Sequence, residues 1–122
     1  MKLNNKKVTQ LKGDASERSF YRSKNSIIIF SKKNKKKNLL IYDAVNRILN
    51  SNGINAPKLL ENNYKQNFIE VNDLGDTTLF KLLNKSKNKK KIFINILDLL
   101  FEVQKIKKFY SKDFTGKKYK MI

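Results

Sequence analysis

A chain of 122 residues makes one domain at most; folding would bury about two thirds of its extended surface, enough for a modest core but too little for a second lobe. Its 39% hydrophobic content is that of a globular protein, and the absence of cysteine and histidine excludes disulfides, thiolate metal sites and the commonest general base. Lys and Arg number 28 against 10 acids, and the resulting charge of +18 attracts nucleic acid or anionic lipid through counterion release and surface potential.

The start, Met1 to Lys7, is basic but is followed by no apolar run of signal-peptide length; Ile27 to Phe30 is far too short for a membrane span. Together with the missing cysteines this predicts a cytoplasmic protein without a membrane span. Val8 to Leu11 and Ser19 to Ser23 read as strands of a hairpin, and Gly13 falls where it turns. Gly13 lets backbone approach a bound group closely, Ser16 offers a hydroxyl beside backbone N–H donors, and Arg18 and Arg22 can pair with phosphate oxygens. The combination suits a flap over a nucleotide; one glycine with Asp14 and Ser16 equally suits a solvated hairpin.

Lys24-Asn25 is a two-residue turn into a third strand, Ser26 to Phe30. Three consecutive isoleucines, Ile27 to Ile29, require both faces of that strand to be covered. Asn38 to Asn52 supplies a cover: Ile41, Ala44, Val45, Ile48 and Leu49 recur at helical spacing, with Asp43, Asn46, Arg47 and Asn50 turned outward. Gly53 stops this helix, Ala56-Pro57 forces an extended entry into a fourth strand, Lys58 to Glu61, and Asn62 to Gln66 turns into a fifth, Asn67 to Val71. Asp76 is placed to cap a helix over Thr77 to Leu83. A lysine-rich linker, Asn84 to Lys91, precedes a helix over Ile92 to Ile106 that is apolar on nearly every side and so must be buried on several. The lysine runs, Lys32 to Lys37 and Lys85 to Lys91, lack interleaved aromatics and read as solvated loops, with nonspecific nucleic-acid adhesion expected at low salt.

Three motifs in order carry a resemblance: Gly13-Asp-Ala-Ser-Glu-Arg-Ser-Phe-Tyr-Arg22, Gly53-Ile-Asn-Ala-Pro-Lys-Leu-Leu60, and Phe68-Ile-Glu-Val-Asn-Asp-Leu-Gly-Asp76. Over about residues 8 to 84 the chain resembles the amino-terminal lobe of aminoglycoside-phosphotransferase-like kinases, nearest the branch that phosphorylates N-acetylmuramate and N-acetylglucosamine. The resemblance implies an α+β fold: a protein-kinase-like lobe with a five-stranded antiparallel sheet and one packed helix at 1–76, then the first helices of a truncated carboxy-terminal lobe at 77–122. It implies ATP held by a flap at Gly13, Asp14, Ala15, Ser16, Arg18 and Arg22, and an adenine-binding hinge at Glu70, Val71, Asn72 and Asp73. Lys32 is the candidate for the third-strand lysine that pairs the phosphates, though a solvated loop lysine explains it as well.

The implied reaction moves the γ-phosphate of ATP, with Mg2+, to a sugar hydroxyl that is oriented or deprotonated by a carboxylate in a His-x-Asp loop. Without histidine that loop is missing, so no catalytic residue is assigned, and Asp113-Phe-Thr-Gly116 is read as a loop after the last helix with no metal role. The expectation is a fragment with little turnover of its own, whose sugar substrate needs a separate carboxy-terminal lobe. The helix Ile92 to Ile106 then either mediates self-association or partner docking, or begins the missing lobe. The alternative from another class is a small basic protein that binds nucleic acid or another acidic partner.

Overall fold

The computed structural model describes residues 7–12, 17–107, 110–112 and 116–120. Three short strands rich in β-branched and aromatic residues open the chain as a meander: β1 (Thr9–Leu11), β2 (Arg18–Arg22) and β3 (Ser26–Ser31). The β2–β3 hairpin closes over Lys24-Asn25, where the Ser23 N–H donates to the Ser26 carbonyl at 2.9 Å. After β3 the chain crosses the sheet as α1 (Lys37–Ser51) and returns as β4 (Leu59–Asn63) and β5 (Phe68–Asn72). All neighbouring strands are antiparallel, and β5 lies between β3 and β4, giving the order β1-β2-β3-β5-β4.

α1 ends where the sequence demands it. Gly53 takes φ +76°, its N–H reaches the Asn50 carbonyl at 3.2 Å, and the Ile54 N–H reaches Leu49 at 3.0 Å, the paired bonds of a glycine-terminated helix. Pro57 keeps Ala56, the residue before it, out of the helical region, so the chain enters β4 extended.

Cross-strand register sorts the sheet into two faces. Phe20, Ile27, Ile29, Ile69 and Val71 share the face on which α1 lies, and Ile29, Ile69 and Leu39 of α1 are fully buried there with Tyr64. On the opposite face Tyr21, Ile28 and Glu70 stand in register, flanked by Phe30 and Phe68 with ring centroids 5.1 Å apart. Ile28 is 1% exposed, so both sides of β3 are covered, as its three isoleucines require.

Beyond the sheet the structure departs from the pattern reading in four places. Asp43 and Asn46, expected to face outward, are buried, while Ile41 remains exposed. Asp43 and Asn46 follow Leu39 at helical spacing, one and two turns on, and so share the side that α1 lays against the sheet. A carboxy-terminal hairpin, β6 (Tyr110–Lys112) with β7 (Lys118–Lys120), packs on another side of α1, where Ile48 is buried, in place of the plain loop expected. The helix after β5 is α2 (Leu79–Lys85), capped by the Thr78 hydroxyl, which accepts from the Lys81 N–H at 3.2 Å; the expected cap, Asp76, is drawn to Arg22 instead. Finally, the last helix, α3 (Lys89–Gln104), begins inside the expected lysine linker, because the Asn88 side chain caps it by accepting from the Lys91 N–H. Its only buried residue is Ile92; Phe93, Ile94, Leu97, Leu99, Leu100 and Phe101 are each about half exposed.

Candidate functional site

The fold sets the predicted flap and hinge at the two ends of the sheet. Arg18 lies opposite Ser31 at the end from which the β1–β2 loop springs, and Asn72 lies opposite Ser26 at the other. Five residue steps along β3 separate these rows, roughly 16 Å at about 3.3 Å per residue. Gly13, Asp14, Ala15 and Ser16 lie outside the described residues. At the flap's root, Glu17 faces two lysines, Lys32 at 3.9 Å and Lys35 at 3.6 Å.

Lys32 follows the end of β3 and is 68% exposed in its side chain. The β3 positions that share the α1 face are Ile27, Ile29 and Ser31, so no lysine of β3 reaches that face. Arg18 does. Its guanidinium stands 5.0 Å from the Tyr42 ring centroid and 5.9 Å from that of Phe20, both within range of cation–π attraction. It borders a groove of about 490 Å³ with Asn38, Ile41, Tyr42, Val45 and Asn46 of α1. The Asn46 amide nitrogen and the Ser31 hydroxyl are buried without a hydrogen-bond partner among the described residues, two unmet polar atoms on the α1 side of the molecule.

At the hinge end, Arg22 is committed to carboxylates. Its Nε donates to Asp73 Oδ2 at 2.6 Å and its Nη2 to Asp73 Oδ1 at 3.2 Å, a two-pronged pair, while Nη1 donates to the Asp76 carboxylate at 2.9 Å. The hydrogen bonds to Asp73, then to Asp76, raise the guanidinium above its ordinary pKa. Asp73 is held below the usual carboxylate value first by Arg22 and then by the Gly75 N–H, which donates to it at 2.8 Å. These bonds tie the outer end of β2 to the segment leading into α2. Arg22 and Arg18, grouped by sequence as one phosphate-pairing set, therefore lie at opposite ends of β2 with different partners.

The remaining hinge residues are also engaged. The Glu70 carboxylate is buried on the face away from α1 and accepts from the Ser26 hydroxyl. Val71 packs in the α1-side core. Asn72 donates its N–H to the Lys58 carbonyl at 3.1 Å and accepts from the Lys58 N–H at 2.6 Å through its side chain; the Asp73 N–H points to the Asn25 carbonyl at 3.4 Å.

Sequence reasoning missed two charged features. Asp76 was read only as a cap, and its reach to Arg22 depends on a pairing 54 residues apart that no local pattern encodes. Asp43 on α1 is buried and pairs with Arg47 at 2.9 Å, an i,i+4 contact that its spacing could have signalled. Burial pushes the Asp43 carboxyl pKa up, and Arg47 draws it part of the way back. Among the described residues no group of three or more acidic, His or Cys side chains could hold a metal ion. No helix among them is long and apolar enough to cross a membrane. Compared with family models, curated proteins and solved structures, the chain gives no significant match.

Proposed function

We propose that this chain is the nucleotide-binding lobe of an aminoglycoside-phosphotransferase-like kinase whose acceptor is a cell-wall amino sugar. The observation that carries the reading is the topology: a meander of three strands, a helix returning across the sheet, and two final strands ordered so that β5 neighbours β3. In such a lobe a nucleotide would lie along the strands beneath β1 and β2, its adenine toward Asn72 and its phosphates toward the β1–β2 loop and Arg18. The roughly 16 Å between those rows suits an extended nucleoside triphosphate. Arg18, held over Tyr42, lies on the α1 side at the phosphate end of this arrangement; Arg22 braces the hinge instead.

With no histidine the chain cannot carry the His-x-Asp loop of such kinases, so on this reading it binds ATP without turning it over by itself. The uncovered apolar side of α3 accords with a lobe that works against further polypeptide. The test is calorimetric titration with ATP and, at matched ionic strength, with inorganic triphosphate. Tighter binding of ATP supports an adenine-reading cleft, whereas equal affinity for the two would reduce the effect to attraction by a +18 surface and overturn the proposal. Sugar phosphorylation that appears only on adding a separately expressed carboxy-terminal kinase lobe would establish the reaction.

A further inference from the structure

We infer that the groove between α1 and the β6–β7 hairpin, continued over the outer face of that hairpin, is a binding surface for single-stranded nucleic acid. This inference does not rest on the kinase reading. The groove, about 320 Å³, is lined by Arg47, Ile48 and Ser51 of α1 and by Tyr110, Ser111 and Lys112 of β6. Guanidinium, ammonium, phenol and two hydroxyls converge there, and no carboxylate lines it. Arg47 is steadied from behind by Asp43 at 2.9 Å while its side chain stays 43% exposed, which fixes a guanidinium at the rim.

Hairpin register strengthens the assignment. Tyr110 lies opposite Lys120 and Lys112 opposite Lys118, so Tyr110 and all three lysines share one face of the ribbon, with Ser111 and Tyr119 on the other. All four outer residues are exposed. Like charges directly opposite on adjacent strands repel, and no carboxylate among the described residues pairs with Lys112, Lys118 or Lys120. A polyanion laid across the ribbon relieves that repulsion. The Lys118 ammonium already sits 3.9 Å from the Tyr110 ring centroid, bringing a phosphate-binding cation and a stacking surface side by side. A basic track with an aromatic platform is how proteins hold single strands without reading sequence, and it is the combination the other lysine runs lack.

The experiment is fluorescence anisotropy of the full chain with a labelled oligothymidylate of about 12 nucleotides, from about 50 to about 200 mM salt. Lys112→Gln with Lys118→Gln should weaken binding about tenfold and flatten the salt slope by about 1.4, two contacts at about 0.7 each. The matched control, Lys33→Gln with Lys37→Gln, removes the same charge from a run without aromatics and should cost less than about threefold. Tyr110→Ala should weaken binding about tenfold and Tyr110→Phe should retain it, since stacking needs only the ring. Ultraviolet cross-linking of the unaltered protein should map to the peptide containing Tyr110, a result independent of how the variants fold. Equal losses from the two lysine pairs, an inert Tyr110→Ala or cross-links spread over the chain would overturn the inference, as would ATP competing as well as the oligomer per nucleotide.

Discussion

Removing the Leu39 side chain tests whether α1 is seated on the sheet as described. Leu39 is fully buried against Ile29 and Ile69, so Leu39→Ala forfeits the transfer of about three methylene equivalents at about 0.8 kcal/mol each. A residual cavity adds about 1 kcal/mol if the neighbours close only partly, for a total loss of about 3 kcal/mol. The companion change, Leu97→Ala, removes the same atoms from a side chain that is 53% exposed on α3, and should cost no more than about 0.5 kcal/mol. With no tryptophan in the chain, urea unfolding followed by far-ultraviolet circular dichroism is the suitable assay. At a slope of about 1.5 kcal/mol per molar urea, Leu39→Ala lowers the midpoint by about 2 M and Leu97→Ala barely moves it. Equal losses at the two positions would mean that α3 is covered in solution, and a loss at Leu39 below about 1 kcal/mol would mean that α1 is not anchored there.

Two carboxylates give opposite pH signatures. Asp43, with its folded pKa raised by burial, binds more protons when folded, so its contribution to stability declines as pH rises from the ordinary value of 3.8 through the raised one; Asp43→Asn should gain on wild type across that rise in urea midpoints taken against pH. Asp73, lowered by Arg22, contributes stability above the same ordinary value and loses it as pH falls through the lowered one. Asp73→Asn should therefore be less stable than wild type at neutral pH, the gap closing only in strong acid; a gap independent of pH would refute the pairing. Gly53→Ala should cost about 1 kcal/mol in urea unfolding, because φ +76° strains any residue with a Cβ even though nothing lies within 4 Å of one, and Gly53→Asn should recover part of that loss.

The sheet and α1 were legible because their signals are local: three β-branched residues in a row, a glycine stop, a proline that forces extension. The side of α1 occupied by Asp43 was misjudged because periodicity picked out the stripe through Ala44 and Ile48, while the hairpin that packs beside Ile48 arrives about 60 residues later and leaves the stripe of Leu39, Asp43 and Asn46 to face the sheet. β6 and β7 escaped notice since three-residue strands of lysine and tyrosine lack the alternating apolar run that marks a strand. Of the candidate site, the sequence singled out Arg18, Arg22 and Asp73, yet it could not tell that Arg22 and Asp73 hold each other while Arg18 stands over Tyr42; that distinction belongs to register between distant strands.

The half-naked side of α3 and the surplus of lysine act against each other in solution. Mutual repulsion between strongly cationic copies keeps those greasy helices apart while the screening length is long, and it weakens once that length contracts to about 10 Å at about 0.1 M ionic strength. Raising salt should therefore drive the molecules to clump even as it strips polyanions from them, so a buffer chosen to purge adsorbed polymer is also the one most apt to cloud the preparation.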